Sequence, residues 1–183
     1  MVQGVATSSH SAATFLKPNK PRRTMIQSTH FILGREEWVG LPGLGLPSLK
    51  AKIDTGARTS ALHARLIEPF TQDGVRCVRF KVQPVPRRPA IEIDCTARLL
   101  DERAVTSSNG ERERRCVILT DIEIGDRRWP IEVTLTNRES MRFRMLIGRQ
   151  ALQPGMLVDA SASFHHLRRS HKVYRKLIAA NLA

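Results

Sequence analysis

The chain has 183 residues, of which 41% are hydrophobic and 26% are charged, and its formal net charge is +13 at neutral pH. This is enough for one domain with an ordinary core, so most of the chain should fold. No run of 18 apolar residues occurs, which excludes a membrane-spanning helix. We also expect no secretory signal, because no short apolar stretch follows a basic start.

The positive charge is concentrated at the two ends of the chain. Residues 1–35 and residues 161–183 each hold five Lys or Arg and no acidic residue. Residues 36–160 therefore hold 20 basic and 17 acidic residues, a net charge of only +3. Electrostatic attraction to RNA or to an acidic partner would act mainly through these ends.

Residues 1–29 are predicted to form a disordered basic tail. They are rich in Ser, Thr, Ala and Pro and show no hydrophobic periodicity. Their lack of acidic residues is loosely typical of transit peptides. However, Pro18 and Pro21 would interrupt an amphipathic helix, so a plain flexible tail is the favoured interpretation.

Residues 30–160 are predicted to form the folded domain, and near its start lies the glycine-rich segment 40–46. In a phosphate-binding P-loop, Lys and a hydroxyl residue follow the last glycine directly. Here Leu46 and Pro47 follow Gly45, and Pro47 opens what reads as a strand. We therefore expect a loop at this point and no nucleotide cofactor.

The strand after this loop ends in an acid, a hydroxyl residue and a glycine, namely Asp54, Thr55 and Gly56. Alone, this triplet is typical of a strand that ends in an Asx or Thr turn. It occurs once in the chain, and no internal repeat is visible. Further along, residues 145–152 read as an apolar strand, then Gly148, then the first turn of a helix.

Between these two segments, apolar and polar residues alternate at period two, as in half-buried strands. Almost no helical periodicity occurs before residue 148, so the pattern indicates an all-β barrel or sandwich. Two-residue turns with glycine separate several of the strands. The predicted strands cover residues 75–82, 91–97, 115–124 and 129–135, with turns at Asn109-Gly110 and Gly125-Asp126.

Residues 161–183 are predicted to form a basic C-terminal tail with helical character. Its apolar and aromatic residues recur at helical spacing, with Arg and Lys between them. The helix would pack on its own domain, pack on a second copy, or contact RNA; the sequence leaves these alternatives open. The residues at this spacing are Phe164, Leu167, His171, Tyr174 and Ile178.

Cysteine and histidine residues do not predict a metal site. The three cysteines form no CxxC pair, so we expect three reduced thiols in a cytoplasmic protein. The six histidines form no HExxH motif or paired ligand spacing, and His63, which could be a ligand, is by itself more typical of a surface or core residue.

Residues 50–62 and 145–152 together resemble the retropepsin-like aspartic peptidases. In these, an Asp-Thr-Gly loop is crossed by a hydrophobic-hydrophobic-Gly strand, and a short helix containing Gly-Arg follows. The chain is most similar to a RimB-like bacterial family that carries the label ATP-dependent zinc protease. This family is often encoded beside RimK-type ATP-grasp ligases, which add glutamates to proteins. The similarity is carried, in order, by residues 34–38, 53–64, 135–141 and 146–149.

The resemblance implies a retropepsin-like acid-protease β-barrel with one short helix after the second hydrophobic-Gly strand. It also implies catalysis by Asp54, with Thr55 fixing the loops and Gly56 letting the substrate backbone approach. Aspartic peptidases use two facing carboxylates that share one proton. Because the chain has one such triplet and lacks the length for two lobes, a second copy would supply the other carboxylate, which predicts a homodimer. No metal or cofactor is expected.

Arg58 departs from the family pattern, since retropepsins usually have an Asp there that pairs with the Arg of the Gly-Arg helix. Either an acid such as Glu36 bridges Arg58 and Arg149, or the substrate supplies the carboxylates. The second option predicts an acidic, glutamate-rich or glutamate-tailed substrate, with Lys50 extending the positive site. The region around Asn109 is either a flap that closes over substrate or a solvated loop. The predicted substrate-binding residues are Lys52, Ala57, Arg58, Asn109, Gly110 and Arg138.

Two other functions stay open at this stage. One is a non-catalytic binding module that holds RNA or an acidic protein through its basic tails, with Asp-Thr-Gly as a structural turn. The other is a metal-dependent peptidase. A functional link to a RimK-type ligase is expected in the peptidase case, and no membrane association is expected.

Overall fold

The structure is a computed structural model that describes residues 1, 30–86, 88–106, 110, 112–137, 139 and 142–175. The predicted N-terminal tail, Asn109 and Arg138 therefore lie outside the described residues, apart from residue 1. Short 3-10 turns cover Pro42–Leu44 and Arg149–Ala151. The strands of the described chain are β1 (Phe31–Gly34), β2 (Glu36–Leu41), β3 (Leu46–Asp54), β4 (Ser60–His63), β5 (Arg65–Gln72), β6 (Val75–Val82), β7 (Ile93–Thr106), β8 (Arg112–Ile124), β9 (Arg127–Thr136), β10 (Met145–Gly148) and β11 (Met156–Asp159).

Six strands close into a barrel. They lie in the order β2-β3-β10-β4-β9-β8, and β2 pairs again with β8 where Gly40 lies opposite Glu123. β7, β6 and β5 continue the sheet beyond the barrel, and β1 pairs in parallel with β11. The predicted all-β, retropepsin-like barrel is confirmed, and its short helix after β10 is the 3-10 turn at Arg149.

The period-two pattern of the sequence determines which side chains fill the barrel. In β3, Leu49, Ala51 and Ile53 are buried, whereas Lys50 and Lys52 between them are exposed. Each fully buried Leu or Ile contributes roughly 1.5–3 kcal/mol relative to leaving it in water. A shift of one residue in the pairing of β3 would bury both lysines, so the alternation fixes the register.

The segment after β11 packs on the barrel as an irregular, non-helical chain before it turns helical. In this segment the described helical residues begin at Lys172, so the helix predicted from Phe164 onwards is wrong for residues 164–170. Phe164 has a φ of 61°. The buried carboxylate of Glu37 accepts hydrogen bonds from the backbone N–H groups of His165 at 3.0 Å and His166 at 3.4 Å. Those N–H groups bond to a distant side chain, which local helical spacing cannot reveal.

The C-terminal end of this segment is anchored by Tyr174, which is fully buried. Its hydroxyl donates to the backbone carbonyl of Ser48 at 2.7 Å and accepts from the Ser48 N–H at 3.2 Å. Burial raises the pKa of this hydroxyl above its ordinary value. We call residues 162–174 the strap. The sequence left three alternatives open for this segment, and in the structure residues 162–174 pack on their own domain.

Candidate active site

Asp54 lies at the end of β3, where β10 runs beside it. The two strands are parallel, and Gly148 is the register partner of Asp54. β10 also pairs with β4, so the strand after the Asp54 loop and the strand before it flank β10 on both sides. This is the arrangement that residues 50–62 and 145–152 predicted.

The Asp54 side chain orders its own loop. Its Oδ1 accepts hydrogen bonds from the N–H groups of Gly56 at 3.1 Å and Ala57 at 3.2 Å. In the described part of the chain, Oδ2 takes no hydrogen bond, and the side chain is half-buried at the surface of the barrel. One carboxylate oxygen thus holds the turn, while the other remains available to a water molecule or a substrate.

Arg149 holds the loop from the other side. Its Nη1 donates to the carbonyl oxygen of Gly56 at 2.8 Å, and its backbone N–H donates to the carbonyl of Ala57 at 2.9 Å. The N–H of Gln150 donates to the carbonyl of Arg58 at 3.1 Å. The 3-10 turn therefore fixes the Asp54 loop through backbone carbonyls.

Two hydroxyl residues support the crossing strands, and sequence reasoning assigned no role to either. Ser60 Oγ accepts the N–H of Gly148 at 3.2 Å, and Thr134 Oγ1 donates to the Ser60 carbonyl at 2.9 Å. Ser60 lies within the motif segment that the sequence singled out. Thr134 carries no local signal, because its partner is 74 residues away.

The predicted substrate-binding residues are only partly brought together. Arg58 is exposed on the Asp54 loop, and Ala57 beside it is half-buried. Lys52 is exposed on β3, opposite Glu36 of β2 and Leu146 of β10. Because side chains alternate along a strand, Lys52 and Asp54 lie on the same face. Among the described residues neither Arg58 nor Arg149 makes an ion pair, so no bridging acid joins them there.

The predicted hairpin around residues 107–110 is formed by β7 and β8. Their antiparallel pairing extends to Thr106 opposite Arg112, and Gly110, between them, is exposed with a φ of 85°. Glu113, opposite Val105 next to the turn, accepts a hydrogen bond from Thr136 Oγ1 at 3.0 Å, which ties the hairpin to the end of β9. The role of this hairpin as a flap stays a prediction.

The described residues form no metal cluster and no membrane-spanning helix. They contain no group of three or more His, Cys, Asp or Glu residues placed to hold a metal ion. No helix among them is long and apolar enough to cross a membrane. The three cysteines are free thiols, and burial raises the pKa of Cys95 to about 12, so this thiol stays protonated at neutral pH.

The chain is similar to several known proteins. A protein of unknown function from Legionella pneumophila has a crystal structure with a TM-score of 0.61 and 30% identity, covering 73% of this chain and 96% of that one. A probable alpha-L-glutamate ligase from Shewanella pealeana is 47% identical over 134 residues, which are 73% of this chain and 29% of the relative. A ligase of the same name from Parasynechococcus marenigrum is 46% identical over 132 residues, which are 72% of this chain and 28% of the relative.

This chain thus spans less than a third of the length of these curated relatives. A family model matches residues 32–169, from β1 into the strap. That family is described as RimB-like, retropepsin-like aspartic endopeptidase RimB. With the Asp54 loop crossed by β10 and held by Arg149, the chain belongs to this RimB-like family.

Proposed function

We propose that the protein is an aspartic peptidase that works as a homodimer and hydrolyses peptide bonds in glutamate-rich or glutamate-tailed protein segments. The observation that carries the proposal is the Asp54 loop, crossed by β10 and fixed by Arg149 through the carbonyl of Gly56. The matching family description supports an aspartic endopeptidase.

The chemistry requires a second carboxylate. One carboxylate takes a proton from a water molecule, while its protonated partner donates to the scissile carbonyl. A fixed loop in which one oxygen of Asp54 takes no hydrogen bond from the described residues suits this role, because a general base must first be positioned within reach of the proton that it takes. With one Asp-Thr-Gly in the chain, the partner acid is the Asp54 of a second copy, placed across a two-fold axis.

The acidic substrate is supported by the charges beside Asp54. Arg58 and Lys52 are exposed there, and in the described part of the chain neither forms an ion pair. Guanidinium and ammonium groups bind carboxylates through short charge-assisted hydrogen bonds. The name of the relatives, probable alpha-L-glutamate ligase, favours glutamate as the acid concerned. It also favours a functional link to a RimK-type ligase.

Replacing Asp54 by Asn tests the mechanism. The amide keeps the size of the side chain and one acceptor oxygen for the loop, but it cannot act as the base. We expect Asp54→Asn to reduce hydrolysis of a glutamate-rich peptide by a factor of at least about 10³, while the fold is retained. Cleavage would be followed by mass spectrometry and the fold by circular dichroism.

Asp126→Asn is the matched control, because Asp126 is exposed in the β8–β9 turn. It should retain full activity. If Asp54→Asn cleaves as fast as this control, the aspartic mechanism is wrong. Activity that is lost with chelator and regained with zinc would instead indicate a metal-dependent peptidase.

A further inference from the structure

A group of cationic side chains surrounds an aromatic pair where the strap crosses β3. Lys50 Nζ lies 5.1 Å from the ring centroid of Trp38 and 5.2 Å from that of Phe164. Arg168 Cζ lies 5.7 Å from the Trp38 ring, and the His171 ring centroid is 4.9 Å from it. Arg88, on the loop before β7, acts electrostatically on His171. We call Lys50, Arg88, Arg168 and His171 the strap cluster.

No acid among the described residues pairs with the positive charges of the strap cluster. Lys50, Arg88 and Arg168 form no ion pair within the described part of the chain. By contrast, the neighbouring Arg169 pairs with Glu123 at 3.0 Å. Burial, followed by the charges of Lys50, Arg168 and Arg88, lowers the pKa of His171. Such a concentration of like charge costs stability unless an anion joins it.

Lys50 of the strap cluster lies on the same face of β3 as the candidate catalytic residue. Lys50, Lys52 and Asp54 are spaced two residues apart on β3, so their side chains share one face of the strand. At about 3.3 Å per residue, Lys50 stands about 13 Å from Asp54 along the strand. This is the length of about four residues of an extended peptide, whose alternate side chains repeat at the same spacing.

We propose that the strap cluster is a subsite for carboxylate side chains of an acidic polypeptide whose scissile bond lies at Asp54. Cleavage of that polypeptide rests on the proposed function, whereas its binding does not. Nucleic acid is disfavoured as the ligand, because single-stranded chains stack bases on open aromatic faces. Trp38 is only 4% exposed, and its ring is already contacted by Lys50, Arg168, Phe164 and His171.

Binding is measured with the Asp54→Asn protein, so that hydrolysis does not interfere. The probe is a fluorescein-labelled hexaglutamate, followed by anisotropy at physiological ionic strength. Two charge-assisted contacts are lost when Lys50→Gln and Arg168→Gln are combined, so the Kd should rise at least about ten-fold. When Lys50→Arg replaces Lys50→Gln in this double variant, the positive charge is kept and binding should be restored in part. Lys172→Gln is the control, because Lys172 is exposed on the strap outside the cluster. The Kd of this variant for hexaglutamate should change less than about two-fold.

Equal binding by the double variant and its parent would overturn the proposal, as would an equal loss with Lys172→Gln. Tighter binding of a labelled hexauridylate, lost with the same substitutions, would assign the cluster to RNA instead. If the double variant fails to fold, Arg88→Gln carries the same test, since Arg88 is exposed on a loop. In the otherwise unaltered enzyme, the double variant should raise KM for the acidic peptide and leave kcat unchanged.

The two proposals fail in different ways. Cluster-dependent binding without any cleavage would contradict the peptidase function and leave the subsite standing. Cleavage with a KM that the cluster substitutions do not change would support the peptidase function and contradict the subsite.

Discussion

Gly148 lacks a side chain because the backbone of the Asp54 loop fills the space beside it. A Cβ at this position would lie 2.5 Å from the carbonyl carbon and oxygen of Thr59 and 2.9 Å from the oxygen of Arg58. The loop is therefore held by backbone contacts from Gly148 and Arg149. Arg149 takes the supporting role through the carbonyl of Gly56, whereas Arg58 is exposed on the loop and forms no ion pair with the described residues.

Arg58→Asp tests whether Arg58 contacts the substrate. A charge-assisted hydrogen bond to a carboxylate contributes about 1.5–3 kcal/mol, so kcat/KM for a glutamate-rich peptide should fall at least about ten- to a hundred-fold. A neutral peptide should be cleaved at nearly the original rate, and Arg98→Asp, an exposed arginine on β7, should affect neither. An equal loss for both peptides would mean that Arg58 supports the loop instead.

The strap shows which features of an element the sequence reveals and which it does not. The period-two strands and the turn at Gly125 were predicted correctly, because alternation and turn glycines act between near neighbours. The non-helical path of the strap could not be predicted from the sequence, since the carboxylate that accepts hydrogen bonds from its N–H groups lies 128 residues earlier in β2. A buried acid inside a strand carries no local sign of its distant partner.

Glu37→Ala tests how the strap is held. Its carboxylate also accepts the N–H of Gly34 at 2.7 Å, so truncation leaves several backbone donors without an acceptor. The free energy of unfolding should fall by about 3 kcal/mol, because each unsatisfied buried donor costs about 1–3 kcal/mol. Urea denaturation followed by tryptophan fluorescence measures this loss.

Glu36→Ala is the matched control for Glu37, because Glu36 is the adjacent, half-buried acid of the same strand. The Glu36 side chain forms no hydrogen bond in the described part of the chain, so Glu36→Ala should lower the free energy of unfolding by less than about 1 kcal/mol. Equal destabilisation by both variants would show that the Glu37 carboxylate does not hold the strap.

At the scale of the whole molecule, the barrel and the crossing at Asp54 could be predicted from two separated motifs. The closure of the barrel could not, because it depends on Gly40 of β2 meeting Glu123 of β8 across the whole domain. The near-neutral charge of residues 36–160 also conceals a local excess, since the strap adds Arg168 to a surface that already holds Lys50. Net charge by segment does not show where the fold brings charges together.

A homodimer with one shared site makes activity depend on pairs of chains. If wild-type protein is mixed with an equal amount of Asp54→Asn and the chains exchange freely, about a quarter of the dimers carry two wild-type chains. Activity per wild-type chain should then fall to about half, provided that a mixed dimer is inactive. Mixing with the active Asp126→Asn chain controls for the effect of the added protein and should cause no loss, and exchange is verified separately by mass spectrometry of the mixed dimer. Dilution below the dimer Kd should lower the specific activity of the wild type as well, because monomers hold only one carboxylate. Activity per wild-type chain that is unchanged by mixing and by dilution would mean that one chain suffices for hydrolysis, and the two-fold site would have to be abandoned.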